Sequence, residues 1–271
     1  MKRRPANRQR GFTLLEMVMV IVILGIVGAM VAVFMRSPIN AYFDTARRAA
    51  LSDVADTAVR RMARDLRKAL PNSLRTPNNQ CVEFIPTRTG GRYRAMTNSS
   101  GAGDMLDFSV ADGSFDMLGT NATPGDQQIA PGDLIVVYNL GITGSNAYAG
   151  DNTAAVVSLG AGTLAGETKI NITAKKFPFA SPASRFQVIP GNEQIVSYVC
   201  TNGNLMRNSN YGLANSCPTT GGNLIARGVT CNFVYNGSDL QRNGMVQILL
   251  DLGSGGETVS LYHEVNINNT P

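Results

Sequence analysis

Residues 17–35 form an apolar run of 19 with no charge among them. With residues 12–16 the run reaches 24, or roughly 36 Å as a helix at about 1.5 Å per residue. That exceeds the roughly 30 Å of a bilayer's hydrocarbon core, so the segment is long enough to cross a membrane. The apolar part of a secretory signal is shorter, about 7–15 residues, and Ala32-Val33-Phe34-Met35-Arg36 makes a poor cleavage site. One residue interrupts the apolar character near its start, and that residue is Glu16. An acid costs about 3 kcal/mol at the centre of a membrane helix and less near its end. A carboxylate kept there needs a partner, and the apolar run supplies none.

A different period follows Arg36-Ser37-Pro38. Phe43, Ala46, Ala50, Val54, Ala58, Met62, Leu66 and Leu70 recur every three or four residues, with charged residues on the other faces. This spacing predicts an amphipathic helix that reaches about Leu70, kinked or restarted at Pro38 and ended by Pro71. Arg60, Arg61, Arg64 and Arg67 are interleaved with Asp53, Asp56 and Asp65, which reads as a solvated or interhelical salt-bridge face.

Beyond residue 80 the period becomes that of strands. Short β-rich runs occur at 82–85, 105–110, 133–139, 155–159, 168–173, 186–189, 195–201, 204–207, 230–235, 245–252 and 258–266. Turn residues separate them, and 253–257 reads as the tip of a hairpin. The expected fold is α+β, a long N-terminal helix packed on a mostly antiparallel β body. The expected organisation is a leader at 1–11, a transmembrane helix at 12–36, an amphipathic helix at 37–75 and one β-rich globular domain at 76–271.

Charge changes this picture in one respect. The chain has 24 Lys+Arg against 19 Asp+Glu, a net charge of +5. Lys2, Arg3, Arg4, Arg8 and Arg10 supply five of those cations, leaving 19 against 19 in the remainder. The basicity therefore belongs to the leader, which argues against a nucleic-acid partner and favours a cytoplasmic N-terminus.

Candidate chemistry is sparse. Cys81, Cys200, Cys217 and Cys231 lack the short paired spacings of a zinc site, and an even number beyond a membrane span points to two disulfides. Of the three possible pairings, Cys200–Cys217 with Cys81–Cys231 is the expected one. His263, the single histidine, alternates within a strand-like run and reads as a strand residue. Gly160-Ala161-Gly162-Thr163-Leu164-Ala165 fits a relaxed dinucleotide pattern but precedes a strand, where that motif needs a helix. Asp104, Asp107, Asp112 and Asp116 could face a calcium ion, yet the offsets of an EF-hand loop are missing, and strand or turn acids are the better reading. Asn98, Asn121, Asn171 and Asn236 stand in glycosylation sequons, which mean little if the source is bacterial. Gly25 and Gly28 fit either an ordinary membrane helix or close helix packing. No catalytic residue, metal or cofactor is expected.

The run Arg10-Gly11-Phe12-Thr13-Leu14-Leu15-Glu16, placed between a basic leader and an apolar helix, resembles the prepilin cleavage and methylation motif of type IV pilins and pseudopilins. The resemblance implies cleavage between Gly11 and Phe12 by a prepilin peptidase, and methylation of the Phe12 amine. It also implies that Glu16 meets the N-terminal amine of a neighbouring subunit during assembly. Cys81-Val82-Glu83-Phe84-Ile85-Pro86-Thr87 and Gly90-Gly91-Arg92-Tyr93-Arg94 are similar to minor pilins of the mannose-sensitive haemagglutinin (MSHA) pilus. Those in turn resemble the J-type minor pseudopilins of type II secretion. The implied partners are other pilin subunits, the peptidase and methyltransferase, and the bacterial inner membrane, with the body in the periplasm. The alternatives are a pseudopilin of a secretion machine, or a membrane-anchored binding module that uses the loops around 141–165.

Overall fold

A computed structural model describes residues 11–121, 125–213, 216–237 and 244–271. The leader cations lie outside the described residues. The chain divides into two units, Met1–Ala50 and Leu51–Pro271. Helix α1 (Leu14–Leu66) is a single element of 53 residues with Pro38 inside it, so the expected restart at Pro38 does not occur. Proline deletes one amide donor and disturbs one turn; the residues on both sides hold the helical register.

In the first unit, every described residue except Asp44 is exposed, including the whole apolar run. In the second unit, α1 buries Ala55, Ala58, Val59, Met62, Ala63 and Leu66. Each of these residues has another three or four positions away, which keeps the set to one face. The expected stripe through Val54 is corrected, because Val54 is 42% exposed. A strict repeat of four drifts by about 40° per step at 3.6 residues per turn, so it cannot stay on one face. The helix also ends before Leu70. The Lys68 and Ala69 amides bond three residues back, tightening the last turn, and the Leu70 amide donates to the Ile85 carbonyl at 2.8 Å.

Three antiparallel sheets complete the second unit. A five-stranded sheet runs in the order Arg75–Asn78, Cys81–Phe84, Val196–Thr201, Asn204–Ser209, Asn223–Arg227. A three-stranded sheet follows the chain through Val229–Asn236, Gly244–Ser254 and Glu257–Ile267. These two sheets and the buried face of α1 enclose one core, which includes Phe84, Tyr198, Leu205, Phe233 and Ile248. The hairpin expected at 253–257 is present, and its two loop residues, Gly255 and Gly256, both have positive φ. Two such residues make the turn whose twist matches the flanking strands.

The six-stranded sheet has the order Thr89–Arg92, Arg185–Ile189, Leu134–Val137, Thr153–Ala161, Thr168–Lys175, Asp112–Met117. Its outer strands meet. Tyr93 bridges to Met117, the Arg94 amide donates to the Asp116 carbonyl, and the Leu118 amide donates to the Arg92 carbonyl, both at 2.8 Å. The sheet therefore closes into a small barrel, which removes its free edges. Phe115, Ile135, Ile170, Phe186 and Val188 fill it, and the rings of Phe115 and Phe186 meet edge to face at 5.5 Å.

The strand expected at 105–110 is absent; Asp112–Met117 takes that place. Sequence reading passed over Thr89–Arg92 as well, since two of its four residues are glycine. Gly91 is required there by close approach. A Cβ on it would lie 2.6 Å from the Phe186 ring and 3.0 Å from the Met117 sulfur.

Glu83 is a carboxylate with no exposed surface. Arg75 donates to one of its oxygens, while Tyr211 and the Cys217 amide donate to the other, the amide at 2.9 Å. Arg75 lies 3.8 Å over the Tyr148 ring, whose hydroxyl donates to the Ser73 carbonyl. Burial, and then the neighbouring Glu83, push the Tyr211 hydroxyl well above its ordinary range.

The disulfides are Cys81–Cys217 and Cys200–Cys231, with Cα separations of 6.2 Å and 5.9 Å. The expected pairing is thus corrected. Closure of the short Cys200–Cys217 loop does not decide it. The Cys217 amide docks on Glu83, two residues from Cys81, while Cys200 and Cys231 face a shared core from two different sheets.

Two outcomes follow. Non-reducing proteolysis with mass spectrometry yields peptides linking Cys81 to Cys217 and Cys200 to Cys231, and none linking Cys200 to Cys217. Gly91→Ala forces Phe186 to shift and lowers the stability of the body by about 1–3 kcal/mol, read from the urea midpoint.

Candidate processing and assembly site

Gly11, Phe12 and Thr13 are exposed and precede the helix without regular structure. Thr13 ends that stretch as the helix cap. The Glu16 amide donates to the Thr13 hydroxyl at 3.3 Å and to its carbonyl at 3.1 Å, and the Met17 amide donates to the same carbonyl at 3.2 Å. Thr13-Leu14-Leu15-Glu16 has the spacing of a capping box, with the acid at the third helical position. Sequence reading passed over Thr13, although the signal was present as threonine followed three residues later by glutamate.

This geometry changes the status of Glu16. The acid stands in the first turn of α1, where the helix dipole favours negative charge by about 0.3–1 kcal/mol. The run still supplies no charged partner, but the helix end itself offers a partial one. The side chain is exposed and lines a shallow hollow of about 210 Å³ with Phe12, Met17, Val20 and Ile21. Gly25 and Gly28 lie within the exposed run, and a Cβ on either would meet nothing within 4 Å.

The other sequence candidates do not converge on this site. Asp104 takes Lys169 and the Ser114 hydroxyl, at 3.0 Å and 2.6 Å. Asp107 accepts from the amide and hydroxyl of Ser109, and Asp112 accepts from the Asp107 amide. Asp116 is fully buried and accepts from the Asp104 and Thr163 amides. These acids are committed to loop and strand hydrogen bonds, and among the described residues no three metal-ligating side chains group together. Asn98 accepts from Ser100 and Ala102 and closes its own loop, and Asn121 exchanges hydrogen bonds with Ile129.

His263 is half-buried in the Glu257–Ile267 strand, opposite Ile248. Gly160 lies within the Thr153–Ala161 strand opposite Lys169, and Gly162 begins the turn to Thr168–Lys175, its amide donating to the Glu167 carbonyl. In the loops at 141–165, the Gly144 amide donates to Asp151 and the Ala147 amide to Asn139, while the buried Asn152 Oδ1 has no hydrogen-bond partner among the described residues. Of the interleaved acids on α1, Asp56 pairs with Arg60, whereas Asp65 turns inward to Tyr198 and Arg207. Arg207 also binds Glu193, and although burial opposes it, these two carboxylates raise its pKa. A polar cleft of about 570 Å³ opens beside this network, with Arg67, Lys68 and Arg88 on its wall.

Residues 6–32 match the family model of the prokaryotic N-terminal methylation motif. The match supports a type IV pilin-like or pseudopilin protein. No curated protein and no solved structure matches the chain. The matched stretch contains the irregular Gly11–Phe12 step, the Thr13 cap, Glu16 and most of the apolar run. With that run, it points to membrane anchoring, to processing by prepilin peptidase and to assembly with other pilins. A motif of this kind belongs to structural subunits rather than to enzymes.

The acids of the barrel give a pH dependence. Ser109 holds Asp107 below its ordinary pKa. Burial opposes ionisation of Asp116, but hydrogen bonds from Asp104 and Thr163 outweigh it and hold its pKa down too. Both folded values are lowered, so their stabilisation is complete above the unfolded aspartate value of about 3.9 and is lost as pH falls through the folded values. The thermal midpoint of wild type should exceed that of Asp116→Asn near pH 7, and the gap should shrink below about pH 4. A gap constant down to pH 3 contradicts this.

Proposed function

We propose that the chain is a non-catalytic minor pilin-like subunit resembling MshO of the MSHA pilus, acting in assembly or initiation of a type IV pilus. The observation that carries this reading is an exposed, irregular Gly11–Phe12 step just before a capped helix, in register with the matched motif. A peptidase needs its scissile bond out of helical structure, and here the helix starts only at Leu14. In this reading the precursor sits in the inner membrane with the leader in the cytoplasm and the body in the periplasm. Cleavage then releases the Phe12 amine and removes the five leader cations.

That amine would stand at the positive end of the helix dipole, an unfavourable place for a cation. A carboxylate from another subunit compensates it, and in low dielectric each charge offsets the other's desolvation once docking brings them together. Glu16 is the acid that α1 presents in its first turn, and the exposed apolar run supplies the helix surface for packing.

Mass spectrometry of the mature chain should find an N-methylated Phe12 as its first residue. An intact Met1, or a cut beyond residue 30, overturns the reading. Glu16→Gln keeps a capping residue and loses the charge, so it should anchor and be cleaved normally, yet enter filaments at least about tenfold less well. Glu16→Leu should behave alike. Normal piliation with defective protein secretion in these variants would assign the chain to a type II secretion pseudopilus instead.

A further inference from the structure

We infer that the free edge of the Glu257–Ile267 strand is a docking site for an extended, acidic segment of a different protein, which adds as a fourth strand to the three-stranded sheet. The strand is outermost in its sheet and pairs with Gly244–Ser254 along all 11 residues, with no bulge. Among the described residues no strand pairs with its other side. Natural edges are guarded by charge, proline or bulges. Glu257 and Glu264 are the acids of this strand, and the stretch Val259-Ser260-Leu261-Tyr262 between them carries neither charge nor proline.

A groove of about 700 Å³ runs between this edge and α1. Leu261 and His263 line it from the strand, Val59 and Ala63 from the helix. Above them stand Arg60, Arg64, Arg67 and Lys68. Arg60 is matched by Asp56 at 2.6 Å. Arg64, Arg67 and Lys68 have no acid partner among the described residues. A helix C-terminus favours cations by itself, but here they form the wall of a groove that has an open strand edge on its other side.

Charge selects the occupant. Outside the leader, basic and acidic residues balance at 19 each, so this concentration of unmatched cations is local. A second copy pairing edge to edge about a two-fold axis would bring two such cationic walls to the same face of one continuous sheet, where they repel. A strand with acidic side chains on its helix-facing side gains backbone hydrogen bonds from the edge and charge pairing from the wall.

The probe is a fluorescein-labelled nine-residue peptide of alternating threonine and glutamate, titrated by anisotropy onto the full chain in neutral detergent micelles. Two comparison peptides replace glutamate with lysine, or carry N-methyl groups on every second backbone amide. The acidic peptide should bind at least about tenfold more tightly than either, and added salt should weaken it. The variant Arg64→Glu with Arg67→Glu, both at exposed positions, should lose at least about fivefold in affinity. Equal binding of acidic and basic peptides, or of the N-methylated peptide, overturns the proposal. So does the absence of binding up to millimolar peptide, or self-association of the chain through this edge in sedimentation. Should the double variant fail to fold, the N-methylated peptide still decides.

Discussion

The second unit depends on a carboxylate that has no access to water. An unpaired charge at the position of Glu83 would be strongly destabilising, so the chain around it is arranged to supply donors. Arg75 comes from the neighbouring edge strand, and Tyr211 and the Cys217 amide come from the long connection after Asn204–Ser209. Each donor fixes something else. Arg75 covers Tyr148, whose hydroxyl holds Ser73 in the segment after the helix. Cys217, fixed by its amide, lies within reach of Cys81. A single acid thereby brings together an edge strand, the 3₁₀ turn Ala147–Ala149 that holds Tyr148, and a disulfide.

Asp65 does comparable work at the end of α1. It leaves the solvated face to accept from the Tyr198 hydroxyl and the Arg207 guanidinium, at 2.7 Å and 2.9 Å. Arg207 in turn reaches Glu193. The last buried turn of the helix is thus tied to the central strands of the five-stranded sheet by a charged chain of contacts as well as by Met62 and Leu66. Drawing Asp65 inward has a cost on the outer face. Arg61 and Arg64 lose the acid that the sequence places nearest to them, and of the face expected to be solvated or to form interhelical salt bridges, Arg60 keeps Asp56 as its partner.

The apolar run, the α+β class and the long hairpin 244–267 were legible because each rests on a local pattern: length, period, or paired glycines between alternating strands. The barrel was not. Its closure joins Tyr93 to Met117, and one of the strands involved, Asp112–Met117, carries two aspartates and a glycine that argue against a strand on propensity alone. Asp116 is acceptable there because two amides point at it, a tertiary fact with no sequence signature. The disulfide pairing failed for the same reason. Proximity along the chain favoured Cys200 with Cys217, whereas the buried Glu83 network decides where Cys217 goes. The restart expected at Pro38 failed in the opposite direction: the helix continues through a strong local breaker.

At the N-terminus the structure separates two explanations that the sequence fused. Glu16 looked anomalous because it was counted as lying inside an apolar helix. With the helix starting at Leu14 and capped by Thr13, a polar residue at that position has a local reason to exist. A capping box, however, is served as well by glutamine as by glutamate. Local structure thus accounts for a polar side chain and leaves the charge itself unexplained. The dipole contributes a small preference for an anion, worth less than the cost of a bare carboxylate moving toward hydrocarbon. A cation would meet that difference, and the side chains of residues 11–35 include none. In the proposed reading, the group that compensates Glu16 within a membrane or a helix bundle is the Phe12 amine that cleavage at the processing motif would create on another subunit.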